Sequence, residues 1–468
     1  DGDGVPDGTY QLYALPTNKW EAVLTVDGNG ALEAGTPGLG DGDYQIVLRT
    51  PSGATSGLRD KAGNPLNSTG FLPAGANTSL SFHVTVSAQD QPVLDLNART
   101  QPESPNAVAR DADGDYVVVW TQTDASGRNR VYFRLYDRDG TPADLDVNGN
   151  GVIDPFEIDN APATPVTTSS TFAGDDQQYA SVAMTPDGDF VITWTNTRSG
   201  NADIYARRFS ANGQALGEAF LVNTVTANDQ KWSDVAMDAE GNFVIVWSSW
   251  GQEPGGVGNR WGIFARRYDQ LGQPVGLEFQ VNTIVAGDQV LPSVSMDYRG
   301  NFAVAWQTAG EIALRTFDAT GVAREAAEIL LGQTIVGQKA YPDVALAASG
   351  QYVVVSWAGP DGNGNGVYVD LLQWDPAGLV WTPVGTSQLV NTTVVGEQSY
   401  ASVAMAVNGS FVVSWSGIGT QVGQEDQLES GVFYQQFSNA LTKVGGERRV
   451  NQVVAGKQWA PSVGVDAD

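Results

Sequence analysis

The sequence predicts an all-β chain whose larger part is a β-propeller of about seven blades, the last incomplete. Three observations predict this. Strand-forming Val, Phe, Tyr and Trp alternate with turn formers, 55 Gly and 22 Pro in 468 residues, as in chains of many short strands and tight turns. One motif recurs six times at a period in the fifties, near that of propeller blades. A first-strand motif then recurs once more, at Pro461-Ser462-Val463-Gly464-Val465.

The repeated motif is a turn, a Gly, a polar residue, an aromatic and a Val-rich run ending in Trp. Its copies are Gly114–Trp120, Gly188–Trp194, Gly241–Trp247, Gly300–Trp306, Gly350–Trp357 and Gly409–Trp415, with the Trp residues 74, 53, 59, 51 and 58 apart. Each repeat reads as four strands. The first is short, as in Ser181–Met184, Pro292–Met296 and Ala401–Met405. The second ends in the Trp and is apolar on both faces, with Phe243, Ile245 and Trp247 alternating with Val244 and Val246. Burial on both faces is what stacked sheets require. The third follows a loop, as in Ile204–Phe209 and Ile263–Tyr268, and the fourth follows a Gly turn, as in Ala219–Asn223, Phe279–Asn282 and Gln388–Asn391. Radial stacking of such sheets makes a propeller.

Smaller features repeat as well. A Gln stands between blades at Gln177 or Gln178, Gln230, Gln289, Gln338, Gln398 and Gln458. A residue demanded once per repeat serves the repeat, so these amides are expected to satisfy backbone groups where one blade passes to the next. The Trp residues are expected in the core. One Arg of each pair Arg207-Arg208 and Arg266-Arg267 is expected in a salt bridge between blades. The fifth repeat has one extra residue before Trp357, which predicts a β-bulge. The run Val93–Asn97 matches a fourth strand, so the chain's first strand could complete a seventh blade begun at Pro461. An open six-blade arrangement is the alternative.

The best copies, at 223–247 and 282–306, read Asn-Thr…Gln…Ser…Val…Met…Gly-Asn-Phe…Trp. They resemble repeats of large secreted or surface proteins of bacteria. That resemblance covers residues 93–468 and implies a propeller, with little said of activity. Residues 1–90 lack the repeat. Their strand-like runs Thr9–Ala14, Trp20–Val26, Tyr44–Arg49 and Leu80–Val86, with Asp60-Lys61-Ala62-Gly63-Asn64-Pro65-Leu66, are similar to bacterial Ig-like sandwich domains. That implies a spacer over residues 1–90, in front of a propeller over 91–468. The lone His83 shares a strand face with Ser81 and Thr85 and is expected in solvent.

One motif carries sharp chemistry. Asp146-Val147-Asn148-Gly149-Asn150-Gly151-Val152-Ile153-Asp154-Pro155-Phe156-Glu157 fits the twelve-residue EF-hand calcium loop. Asp146, Asn148 and Asn150 offer side-chain oxygens at positions 1, 3 and 5, and Gly151 allows the turn at 6. Val152 offers its carbonyl, Asp154 stands at 9, and Glu157 at 12 can bind through both oxygens. A plain acidic turn is the competing reading. The loop lies in an insertion at about 144–160, which accounts for the long first interval, and a bound Ca²⁺ would be structural. Asp1–Asp7, Asp27–Gly30 and Asp361–Gly366 are weaker; the last has Leu372 at position 12, and a Gly-rich hairpin fits it better.

Charge and composition exclude other classes. The net charge is −28, which opposes binding to nucleic acid or an anionic membrane surface. With no Cys, thiolate chemistry and disulfides are absent. With one His, a Ser-His-Asp centre would have to use His83. No apolar run of about 18 residues is present to span a membrane. The chain starts at Asp1 without a signal sequence and is expected to be a piece of something longer. No phosphate-binding loop or dinucleotide fingerprint is found, and the sialidase motif Ser-x-Asp-x-Gly-x-Thr-Trp is absent. Asn-x-Ser/Thr at Asn67, Asn77, Asn391 and Asn408 would be surface positions in a glycosylating source.

The sequence-based expectation is therefore a protein without catalytic activity, extracellular or on a bacterial-type cell surface, and stabilised by Ca²⁺. It would serve adhesion or a surface layer, sheath or fibre, with other surface proteins or copies of itself as partners. Two alternatives compete. A carbohydrate-binding propeller would gather Trp232, Trp250, Trp261 and Trp459 on one face. A glycan-cleaving enzyme would bring two carboxylates together in a cleft.

Overall fold

The computed structural model divides into two compact units, Asp1–Asp90 and Gln91–Asp468. It describes residues 107–465 except 125, 139, 141–142, 144–163, 168–171, 254–259, 395, 419–429 and 452–457. In the first unit it describes the backbone of four strands. These form two antiparallel pairs, Tyr10–Ala14 with Trp20–Leu24 and Gly42–Arg49 with Asn77–Val84. The stacked sheets of an Ig-like sandwich are not among them, so that expectation is not supported. His83 lies in register with Asp43.

The second unit is a propeller of six blades, each an antiparallel sheet of four or five strands. No helix occurs among the described residues. Inner strands run Ala107–Arg110, Asp176–Met184, Gln230–Met237, Gln289–Met296, Ala340–Leu346 and Gln398–Met405. Blade three shows the plan, passing outward through Phe243–Trp250, Trp261–Tyr268 and Phe279–Gln280. The expected count of about seven is corrected to six. A seventh inner segment, Trp459–Val463, does reach the central cavity. It pairs with no strand among the described residues, and a lone segment cannot bury the two faces that make a blade. Val93–Asn97 lies outside the described residues.

The core sits between consecutive blades, as the doubly apolar second strand requires. Val117, Phe133, Phe190 and Trp194 join blades one and two, and Val191, Ile204, Phe243 and Trp247 join two and three. The six motif Trp residues are at most 1% exposed. The motif aromatic stacks on the aromatic that ends the third strand, as in Phe243 on Tyr268 at 4.9 Å and Phe302 on Phe317 at 4.8 Å. The preceding Gly is required by the hairpin turn. Gly241 has φ +88° and Gly300 φ +82°, a region glycine enters without steric cost. Asp238 and Asp297 each accept two backbone N–H groups across these turns at 2.9 Å.

The recurrent Gln serves the blade junction. Gln289 donates to the carbonyls of Ala286 and Gly287 and accepts from the Trp306 indole at 3.0 Å. Gln398 accepts from Trp415 at 3.2 Å. In blade five the register differs from the sequence reading, because Lys339 and not Gln338 occupies this position. An ammonium cannot accept a hydrogen bond, so Trp357 donates to Asp370 at 2.8 Å. Lys339, 2% exposed, pairs with Glu311 at 2.7 Å.

The Arg expectation needs correction in its partner. Arg207, Arg266 and Arg315 do reach the preceding blade, but they donate to the carbonyls of Val166, Val222 and Val281 at 2.8, 2.8 and 2.6 Å. Each guanidinium also lies 5.6 Å from the ring of Phe209, Tyr268 or Phe317. Among the described residues none of the three has a carboxylate within salt-bridge distance, and the bond goes to backbone. Replacing Arg266 by Ala is expected to cost about 1–2 kcal/mol, from one hydrogen bond and one cation–π contact, read as a lower urea midpoint.

The extra residue of repeat five makes no bulge in its strand. The ladder from Tyr352 to Pro360 is unbroken, and the extra residue lengthens the turn closed by Ala347 N–H to Tyr352 O. The Gly-rich stretch at Asp361 is a hairpin turn, with Asp361 N–H bonded to Gly364 O. Asn391 is 2% exposed and accepts the Val367 N–H at 2.8 Å, which rules it out as a surface glycosylation position.

Candidate functional site: an aromatic-rimmed central cavity

The inner strands enclose a cavity of about 650 Å³. In blades three to six each inner strand breaks register with the second strand, between Lys231 and Asp234, Val290 and Ser293, Ala340 and Asp343, and Ser399 and Ser402. The break in blade two falls opposite Thr193 and Thr195. One residue at each break has positive φ: Tyr179 at 55°, Trp232 at 58°, Leu291 at 55°, Tyr341 at 54° and Tyr400 at 53°. Ala460 holds the slot in the seventh segment at 51°. A bulge re-aims a side chain, and all these residues line the cavity.

The strained backbone belongs to the repeat; the choice of residue does not. Asn and Asp enter this region several-fold more readily than other residues, yet four of the six slots hold Tyr or Trp. Backbone strain of this kind gathers at functional sites. The rings form two arcs. Tyr179 and Trp232 lie 6.3 Å apart, Trp232 and Trp261 5.0 Å, and Trp261 and Trp250 5.3 Å. Across the gap at Leu291, Tyr341 and Tyr400 lie 4.6 Å apart, and Tyr400 and Trp459 5.6 Å. Trp232, Trp250 and Trp261 thus gather as the carbohydrate-binding alternative requires, and Trp459 lines the same cavity. Sequence reasoning missed Tyr179, Tyr341 and Tyr400. A large residue three places before each first-strand Val was the available signal.

Further along the wall runs a polar girdle, one residue from each of blades two to six: Ser181, Asp234, Ser293, Asp343 and Ser402. Ser181 donates to Asp234 at 2.5 Å, and the other Asp234 oxygen accepts the Val294 N–H at 2.7 Å. Ser293 donates to Asp343 at 2.7 Å, whose other oxygen accepts the Val403 N–H at 2.8 Å. Ser402 accepts the Val463 N–H at 3.3 Å. The first four bonds each tie one blade to another, and the last ties blade six to the seventh segment. Burial, with the Asp343 charge adding to it, pushes the Asp234 carboxyl up to about 6. Burial raises Asp343 too, and Glu253, close to the Trp250–Trp261 arc. At the opposite end a second recess of about 190 Å³ is lined by Met184, Met237, Met296 and Met405, all four methionines of the chain.

The predicted calcium ligands Asp146, Asn148, Asn150, Val152, Asp154 and Glu157 lie outside the described residues. Among the described residues no group of three or more His, Asp or Glu is placed to hold a metal, and no helix is long and apolar enough to cross a membrane.

Searches of protein families and of curated proteins find no match to the chain. Among solved structures it is similar to a protein of unknown function from Dyadobacter fermentans, at 10% identity over 69% of this chain and 92% of that one, TM-score 0.46. It is similar to an α-L-arabinofuranosidase from Fusarium graminearum, at 10% identity over 70% and 92%, TM-score 0.44. It is also similar to an ulvan lyase, at 8% identity over 74% and 86%, TM-score 0.42. The expectation of a protein without catalytic activity finds no support among these structures, two of which are named for enzymes that act on glycans. At such identities and scores the likeness carries no assignment of chemistry, which rests on the chain's own residues.

Proposed function

We propose that this propeller acts on glycans, taking up a saccharide at the aromatic-rimmed mouth of its central cavity. The observation that carries this reading is the occupancy of the positive-φ slots by Tyr and Trp, joined by Trp250 and Trp261. Aromatic faces with polar tips suit a ligand that is apolar on its ring faces and hydroxylated at its edges. Glycan cleavage is supported by Asp234, a wall carboxyl that keeps its proton to about pH 6, as a general acid of a glycosidase must. Both its oxygens already hold blade-to-blade bonds, so the role needs a direct test. Calorimetric titration with neutral oligosaccharides, and release of new reducing ends, separate the two. Trp232→Ala is expected to weaken both signals about tenfold, and Asp234→Asn to abolish only the second. Reducing-end release by Asp234→Asn at the wild-type rate would remove Asp234 from the chemistry.

Calcium at Asp146–Glu157 and a cell-surface setting, with other surface proteins or copies of itself as partners, belong to the same proposal. EGTA is expected to lower the melting temperature of the wild type and to leave Asp146→Ala with Glu157→Ala unchanged. Equal melting points with and without EGTA in the wild type would remove the calcium site.

A further inference from the structure

From the charge and shape of this mouth we propose that its ligand is a neutral, linear saccharide chain long enough to rest on both aromatic arcs. The inference deepens the glycan reading and rests on it. Length comes from the two arcs. Tyr179, Trp232, Trp261 and Trp250 make one platform, and Tyr341, Tyr400 and Trp459 another, with Leu291 between them. A single sugar ring can stack on one platform; a chain crossing the mouth can use both.

Neutrality comes from the charges. Among the described residues, three cations near this end have carboxylate partners: Arg198 with Asp175 at 2.9 Å, Lys231 with Asp229 at 2.6 Å, and Lys339 with Glu311 at 2.7 Å. Arg260, next to Trp261, faces the charge of Glu253. The wall behind the rim carries Asp234 and Asp343 and no Lys or Arg. A uronate or sulfate entering here would lose water and meet these carboxylates, and no Lys or Arg among the described residues lines the cavity to receive it. In a cavity of low dielectric that repulsion is poorly screened. A neutral chain meets only rings and hydroxyls.

The test titrates the full chain with xylohexaose and cellohexaose, their dimers, and a polygalacturonate hexamer, at low and at high salt. A neutral hexamer is expected to bind at least tenfold more tightly than its dimer and than the uronate hexamer. Tyr341→Ala with Tyr400→Ala is expected to bring hexamer affinity down about to that of the dimer, with dimer affinity falling no more than about twofold because the other platform still binds it. Uronate binding as tight as the neutral hexamer, or hexamer and dimer bound alike, would overturn the inference while leaving glycan binding intact. If neither neutral nor charged saccharides bind at millimolar concentration, the glycan reading fails and this inference with it.

Discussion

Replacing Trp232 and Trp261 together by Ala is expected to weaken binding of a neutral hexasaccharide about 100-fold, close to 2.7 kcal/mol, with little loss of stability. The binding loss follows from removing the middle of one arc, where Trp261 lies 5.0 Å from Trp232 and 5.3 Å from Trp250. Two stacking platforms go, and Trp250 loses the ring that joins it to the rim. Stability is spared because neither residue belongs to the apolar clusters between blades, which hold Trp247 in their place. The backbone tolerates Ala in this slot, since Ala460 holds it at φ +51° in the seventh segment. Trp374→Ala is the control, because that ring stacks under Arg324 away from the cavity. Calorimetry at fixed protein concentration and a thermal melt read both quantities. Unchanged affinity in the double variant would remove the rim as a binding surface. Equal losses in the control would trace the effect to Trp content in general.

The blades were legible because each position in the repeat reports one physical demand. Gly241 reports a positive φ, Phe243 a stack with Tyr268, Trp247 a place between two blades, and Asn223 and Asn282 a buried cap for the Ile204 and Ile263 N–H groups at 2.7 and 2.8 Å. Where a demand can be met in two ways, sequence alone misled. An Arg at a blade junction reads as half of a salt bridge, yet Arg266 binds a carbonyl because Val222 O is the acceptor that the register supplies. Lys339 was passed over because the amide Gln338 stands one residue before it. The seventh inner segment was read as a blade because its motif is intact at Ser462-Val463, whereas a blade is made by pairing, which a motif does not carry. The rim was half legible. Trp232, Trp250, Trp261 and Trp459 drew attention as Trp residues that could gather on one face. Tyr179, Tyr341 and Tyr400 did not, because three places before a strand Val looks like solvent-side alternation until the bulge turns that side chain toward the axis. The girdle was invisible, since Ser and Asp beside a Val read as ordinary strand polarity.

Between pH 4 and pH 6 the wild type is expected to become more stable relative to Asp234→Asn as the pH falls, by up to about 3 kcal/mol. The native carboxyl titrates at about 6 against an ordinary value of 3.8. A proton is therefore held more tightly in the folded chain than in the unfolded one, and each unit of difference corresponds to about 1.4 kcal/mol. The charged form at neutral pH is the costly one. Its cost falls away as pH drops through 6 and is gone below the unfolded value. Asn has no such titration, and its curve shows only what the rest of the chain does. Carboxylates held low in the native state, Asp124 at about 2 and Asp175, Asp318 and Glu328 also lowered, act in the opposite direction. Their stabilisation is lost as pH falls through the unfolded values, 3.8 for Asp and 4.5 for Glu, but equally in both proteins, so it cancels in the difference. Asn can keep one of the two bonds from Ser181 and Val294, which sets a constant offset of about 1 kcal/mol without a pH slope. The measurement is the urea midpoint of both proteins from pH 4 to 7. Parallel profiles would mean that Asp234 titrates like a surface carboxylate, which would also remove it as a proton donor in glycan cleavage. A gap that widens toward pH 4 would establish a carboxyl held protonated by its place among the blades, on the wall of the cavity that the aromatic rim opens into.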